Sequence, residues 1–498
     1  MNTNHSSTTK KNRLTMVLGV IAVLGLTASA CGPATPQVVT QQVIATAIVR
    51  ETVEVPVEVT RVVEQQVEVT SIPAPAGDPY AMNCAPAEYS GGPVTISLVW
   101  WQGGGESGSD ILFRDALDCF NKKYEGKIKA EVEYVPGVHD YIEKLKTDYA
   151  ASGELPLLVT LKRDPTLAQI WLDNDEIVDL KPYFDASPEW KAISIQSSVE
   201  LNTIDGKLVA APDAWVSPIG IFYNKELFAK AGIGQFPGSW ESFFDAMERL
   251  KAAGVTAISL HTEDTGWSPM LVFEALMVRS AECKAFLDLK FPDDFDLPCM
   301  VEAARDTGRL FEYSTPDAIG SAYPLAANNF LSGITAMMPN GPWMIPSFRN
   351  PAESSPGFGD KIDVALYPGN IAVDDTGLQL GDWAITQGHS QEEQDAAAEF
   401  IKVMLSAEVV RQRVIRLGSS APNLAMTADE LALLDPLAAK LLTLVQVNQA
   451  PVLPNYQGQW NTVIQNETIV QGLPQLALGN ITAEEFVQML TDAAREGN

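Results

Sequence analysis

Between Gly92 and Leu161 the hydrophobic period of the chain switches back and forth, and that alternation limits the fold more than any other feature. PVTISLVWW is an apolar, β-rich run that stops at Gly103, Gly104 and Gly105. ILFRDALDCFNKKY then has helical spacing, KAEVEYV alternates like a strand, YIEKLKTDYAAS is helical again, and LPLLVTL reads as a third strand. Strand, helix, strand, helix, strand predicts an α/β layer structure with a largely parallel sheet. Further along, ESFFDAMERLKAAG ends at Gly254, a C-terminal cap, and VTAISL follows as a strand. QEEQDAAAEFIKVMLS and AEEFVQMLTDAARE are further helical stretches. With 46% hydrophobic and 19% charged residues over 498 positions, the chain can bury at least one large core.

The first 90 residues read differently. Lys10, Lys11 and Arg13 precede the apolar run Leu14 to Thr27, and Ala28, Ser29, Ala30 and Cys31 follow it, the three-part order of an export signal. As a helix that run reaches only ~21 Å against a hydrocarbon core of ~30 Å, too short to span. Small residues ending in cysteine look like a bacterial lipobox, with Ala28 where that motif usually has Leu. Residues 1–30 are thus expected to be a lipoprotein signal peptide, and Cys31 the lipid attachment point on the outer face of the cytoplasmic membrane. Residues 31–91, rich in Val, Thr, Glu, Pro and Gln, are expected to form an extended spacer rather than a hairpin of the body; a flexible chain of that length reaches ~45 Å. Four cysteines remain in an oxidising compartment, and sequence proximity favours Cys84 with Cys119 and Cys283 with Cys299 out of three connectivities. No CxxC occurs and the histidines are scattered, so no metal site is expected.

Asp plus Glu number 63 against 34 Lys plus Arg, a net charge of -29 that argues against nucleic acid as a partner. The chain lacks GxxxxGK[ST], GxSxG and HExxH, and the glycines at 103 to 105 read as a turn. The ten tryptophans carry more information. Trp100, Trp101, Trp215, Trp267, Trp343, Trp383 and Trp460 sit beside turn residues, where an indole can offer its flat face to a pyranose ring while neighbouring amides and carboxylates meet the hydroxyls. Trp100, Trp171, Trp190 and Trp240 lie in regular apolar patterns and are expected in the core. Trp343 and Trp460 lead the candidates for the site, followed by Trp101, Trp215 and Trp383.

Longer blocks carry a family resemblance. GIFYNKELFAKAGIGQFPGSWESFFDAMERLKAAG resembles the "YNKxLFxxAGhxxPPxTWxEF" region of extracellular solute-binding proteins that feed ABC importers. FLSGITAMMPNGPWMI resembles their "FxxGxxAMxxxGPW" segment, as found in maltose-binding protein. LQLGDWAITQGHSQEEQDAAAEFIKVMLSAEVVRQ and LPNYQGQWNTV are similar to the family's Gly-rich strand with its helix and to its late aromatic site. The resemblance implies a periplasmic-binding-protein-like fold of two α/β lobes joined by crossing strands, with a ligand cleft between them. The first lobe would take 92–212 plus 378–428, the second 213–377 plus 429–498. It also implies aromatic sugar platforms at Trp343 and Trp460, and a ligand-facing first-lobe loop at Arg163 and Asp164. Asp213 and Trp215 would lie at the first crossover, with Asp382, Glu263 and Asp264 as further acceptors. The expected activity is a monomeric, non-enzymatic receptor without cofactor, which captures a sugar or oligosaccharide by hinge closure and delivers it to an ABC permease. The alternatives are an exported glycoside hydrolase using a carboxylate pair, and a polyamine receptor of the same fold.

Overall fold

A computed structural model describes residues 82–105, 107–135, 138–162, 164–287, 289–374, 380–447 and 449–497. The signal segment, Cys31 and most of the expected spacer therefore lie outside the described residues. Among the described residues no helix is long and apolar enough to cross a membrane.

The strand Val94–Trp100 buries Ile96, Leu98 and Trp100 at alternate positions and pairs in parallel with Ile128–Tyr134, Val94 opposite Ile128. A parallel pair needs a covered crossover. The helix Gly108–Lys123 supplies it, burying Leu112, Phe113, Ala116, Leu117, Cys119 and Phe120 at helical spacing. Ser107 caps its first turn by accepting from the Asp110 N–H, and Lys122 and Lys123 sit at its negative end. The expected strand LPLLVTL shrinks to Leu158–Val159, which pairs antiparallel with Ala384–Ile385 from far along the chain. Helix Gln391–Met404, opened by a Ser390/Glu393 capping box, completes this first lobe. Trp100 and Trp383 stack at 3.8 Å in its core.

The second lobe is built on Pro218–Asn224, buried along its whole length. Thr335–Asn340 flanks it antiparallel on one side and Ile362–Ala365 on the other, with Ala372–Asp374 pairing near its start. Thr256–Ile258 and Val452–Leu453 extend the sheet in parallel. The sheet is thus mixed rather than largely parallel, because its central strand enters from a crossing and runs against its neighbours. Alternation along each strand divides the lobe into two cores: Ile219, Ile221, Met337 and Val373 join one apolar cluster, while Phe222, Met338 and Ala372 join the other. Asn224 ends the central strand and caps helix Lys225–Lys230, its Oδ1 accepting from the N–H groups of Glu226 and Leu227. That is the physical content of the YNKELF block.

The lobes join where Val216 and Ser420 exchange backbone hydrogen bonds of 2.8 and 2.7 Å, with the Ser217 and Ser419 hydroxyls 2.9 Å apart. Ala214 and Trp215 still pack in the first-lobe core, so the crossing falls a few residues later than the 212/213 boundary read from sequence. On the return, Leu424 still packs on the first-lobe core, while Leu434 and Leu437 belong to the second lobe. The two disulfides join Cys84 to Cys119 and Cys283 to Cys299, each inside one lobe. The first of them, together with a Tyr89–Tyr124 edge contact and the Ala87 N–H on the Lys123 carbonyl, fastens residues 82–91 to the first lobe, so these leave the spacer.

Helix Trp240–Ala252 ends with Gly254 at φ +68°, where an added Cβ would meet nothing within 4 Å. Gly254→Ala is expected to cost ~1 kcal/mol from backbone strain alone. Urea denaturation should show a lower midpoint with an unchanged slope.

Candidate functional site

Four rings gather at one end of the second-lobe sheet. The Trp267 indole centroid lies 5.1 Å from Tyr323, 6.4 Å from Trp343 and 5.5 Å from His261. Trp267, Tyr323 and Trp343 are half-buried, whereas His261 is fully enclosed. Trp343 is the second residue of the 3-10 turn Pro342–Phe348 and folds back on its own chain: a Cβ at Gly341 would stand 2.1 Å from the indole Cζ3. The NGPW block therefore needs glycine there. Asn340 accepts from the Gly341 N–H at 2.8 Å and donates to the Tyr323 hydroxyl at 3.2 Å, locking the platform to the sheet. Burial pushes the Tyr323 phenol up to about 12, so it stays a neutral hydroxyl.

Beside the rings runs a turn of unusual backbone. Asp264, Thr265 and Gly266 have φ of +53°, +63° and +55°, three left-handed residues in succession. Gly accepts that region and Asp tolerates it, but a β-branched Thr does not without strain of ~1–3 kcal/mol. The surroundings hold it. The Tyr456 hydroxyl donates to the Thr265 carbonyl at 3.0 Å, the Gln457 amide to the Thr265 Oγ1 at 2.9 Å, and the Tyr323 N–H to Asp264 at 2.8 Å. His261 donates from Nδ1 to the Glu263 carbonyl at 2.8 Å; its burial lowers the ring to about 4, so it is neutral and the contact to a carbonyl fixes this tautomer. Beneath, the fully buried Glu274 accepts from the Tyr456 N–H at 2.5 Å, while its Oε2 has no partner among the described residues. Burial raises the Glu274 carboxyl well above its ordinary value. The turn presents the exposed carboxylates of Glu263 and Asp264 next to Trp267.

The first lobe offers the carboxyl ends of its strands, where open α/β sheets bind ligands. Half-buried Trp101 and Gln102 follow Val94–Trp100. Asp382 accepts from the Thr160 hydroxyl at 3.2 Å and lies 3.8 Å from the buried Lys162 ammonium. A cavity of about 30 Å³, room for about one water, is lined by Trp100, Gln102, Trp215, Asp382, Trp383 and Arg413.

Several residues expected in the site are enclosed by the protein. Trp460 is fully enclosed, edge-on to Phe273 and Phe295, and fills the second-lobe core. Trp383 is buried against Trp100, and Trp215 is buried with the Arg413 guanidinium 4.3 Å over its ring. Asp213 is buried beside Ser198 in the first lobe. Turn adjacency marks where an indole can leave a regular element, but either face of the layer is open to it, and these three turn inward. Asp164 caps helix Pro165–Asp173 through the Leu167 N–H and bonds Thr462, both with Oδ1, while its buried Oδ2 has the Lys146 ammonium at 3.4 Å. Arg163 lies outside the described residues. Trp343, Glu263 and Asp264 are brought together, and Trp101 with Asp382 lies on the first lobe. Trp267 carried the turn signal without being assigned a role, and Tyr323, Gln102 and Lys162 carried no signal above background.

Two α/β lobes joined by paired crossings, with half-buried aromatic rings and exposed carboxylates at the end of one sheet, define a two-lobed binding protein. Residues 115–438 match the family of bacterial extracellular solute-binding proteins, and the chain belongs to that family. Membership sets aside the glycoside hydrolase alternative. The chain is 24% identical over 322 residues to the diacetylchitobiose-binding protein DasA of Streptomyces coelicolor, covering 64% of this chain and 70% of that one. It is 22% identical over 232 residues to the multiple sugar-binding protein of Streptococcus mutans, covering 45% of this chain and 54% of that protein. The fold matches a Streptococcus pneumoniae solute-binding protein solved with the blood group A-trisaccharide, with a TM-score of 0.65, 20% identity, and coverage of 81% of this chain and all of that one.

Glu274 generates a pH prediction. Unfolded, its carboxyl ionises near 4.5; folded, its affinity for the proton is raised, so its contribution is largest below that value and is lost as pH climbs toward the folded one. Glu274→Gln should therefore melt above the parent protein at pH 7, and the gap should close toward pH 4. A gap that widens on acidification would mean that the ionised carboxylate is the stabilising form.

Proposed function

We propose that this protein is a receptor for a sugar or oligosaccharide. It stacks its cargo on Trp343 and Trp267, closes the first lobe over it and delivers it to an ABC permease in the membrane. The observation that carries the reading is the cluster of half-buried Trp267, Tyr323 and Trp343 beside the exposed carboxylates of Glu263 and Asp264. A pyranose places its C–H face on such rings and its hydroxyls on such carboxylates. The names of the two relatives and the trisaccharide in the pneumococcal structure support a saccharide cargo.

The test is calorimetric titration with N,N′-diacetylchitobiose, maltotriose and xylobiose, each recovered intact afterwards. Trp343→Ala and Trp267→Ala should each weaken the tightest of these by ~1–3 kcal/mol, roughly 5- to 150-fold. Trp383→Ala should instead lose ~3–5 kcal/mol of folding stability, as a stacked core indole does, with little change in affinity. Failure of all three sugars to bind would sink the saccharide reading.

We infer further that Cys31 begins the mature chain and carries lipid, on the basic, apolar and small-residue order of residues 10–31. Mass spectrometry of membrane-extracted protein should find acylation at Cys31; an unmodified, soluble product would exclude the anchor.

A further inference from the structure

Thr462 belongs to the second lobe: it follows Trp460, which fills that core, and opens onto Ile464–Thr468. Its hydroxyl nevertheless has both of its described partners in the first lobe. It donates to the Asp164 carboxylate and accepts from the Thr166 N–H at 3.4 Å, while the Thr462 N–H donates to the Thr166 hydroxyl at 3.1 Å. Asp164 and Thr166 stand at the N-terminus of helix Pro165–Asp173, whose first-turn N–H groups need acceptors. One comes from Asp164 within the lobe, through the Leu167 N–H at 2.9 Å, and a second from Thr462 across the gap. All of this is enclosed: Asp164 is 3% and Thr462 9% exposed. Asp164 is also steadied by the Lys146 ammonium at 3.4 Å, on its own lobe.

We infer that Asp164, Thr166 and Thr462 form a latch that holds the two lobes together without any sugar, and that Thr462 tunes cargo release without touching cargo. The second lobe completes the cap of a first-lobe helix, so separation exchanges a charge-assisted hydrogen bond and its two companions for water. Because the latch involves no ligand atom, it stabilises the empty closed state and the loaded closed state alike. Its effect on affinity therefore depends on how far the empty protein is already closed. Its effect on release does not, since every departing sugar must first break the latch. This rests on the receptor reading only where sugar is concerned.

The test compares the parent protein, Thr462→Val, which keeps the side-chain shape and removes the hydroxyl, and Thr462→Ser, which restores it. In small-angle scattering of sugar-free protein, Thr462→Val should have a larger radius of gyration than the parent, and Thr462→Ser should match the parent. With whichever of the three sugars binds, stopped-flow dissociation should be faster in Thr462→Val, roughly ten-fold, the size that loss of a hydrogen bond to a charged group carries. Melting curves of all three establish that each is folded. Identical sugar-free scattering for the parent and Thr462→Val overturns the latch, as does dissociation at the parental rate. Failure of the parent to bind any of the sugars counts against the saccharide reading, and the scattering comparison still decides the latch.

Discussion

The two-lobed arrangement turns on the short pairing of Val216 with Ser420. It joins two segments more than two hundred positions apart at the place where both leave one core for the other. Helix Ala407–Leu417 runs into that junction, giving Val409 and Val410 to the first-lobe core and Val414 to the second-lobe core. Among the described residues the chain changes lobe at Val216–Ser217 and near Gly418–Ser420, where Gly418 takes a left-handed φ of +69°. Neither lobe is a continuous piece of chain, so neither can be assembled before its distant strand or helix arrives.

The second lobe buries polar groups for the sake of one turn. Asp264 to Gly266 is held in a conformation that its Thr resists, and the holding hydroxyl belongs to Tyr456, whose N–H is fixed in turn by the enclosed carboxyl of Glu274. An apolar residue at 274 would release Tyr456, and a relaxed turn would move Trp267 away from Trp343. Strain of this kind persists where surrounding structure over-determines it, and such places concentrate at ligand clamps. The same enclosed carboxyl costs stability at neutral pH, consistent with a site kept for function at the expense of stability.

Long periodic elements were legible in the sequence. The helices Gly108–Lys123, Trp240–Ala252 and Gln391–Met404 each have one apolar face and a side-chain cap, so local pattern and tertiary role agree. The disulfides followed from proximity alone. Pairs such as Leu158–Val159 with Ala384–Ile385 left no readable period, since two residues cannot show one and their partners are distant. The site was half legible: glycine beside Trp343 turned the indole onto the platform, yet the same signal beside Trp383 and Trp460 accompanied inward-facing rings. Nothing local separates these outcomes. Trp383 packs on Trp100 and Trp460 on Phe295, both buried, whereas Trp343 meets the half-buried Trp267.

Those placements also bear on the cargo. Of the acidic residues read as acceptors, Asp164 is buried, with Oδ1 given to a helix cap and the contact with Thr462, and Asp213 is buried within the first lobe. Asp382, also on the first lobe, accepts from the Thr160 hydroxyl and has the Lys162 ammonium 3.8 Å away. A polyamine approaching Asp382 would meet a fixed like charge beside the carboxylate that should attract it, an arrangement that disfavours a cation in a partly enclosed site. A hydroxyl both accepts and donates, so it can meet an ammonium and a carboxylate together without adding charge. The balance of charge around Asp382 thus favours a neutral polyol over a cation, for the same reason that the three rings favour a pyranose: each surface suits a molecule that is apolar on one face and hydrogen-bonding at its edge.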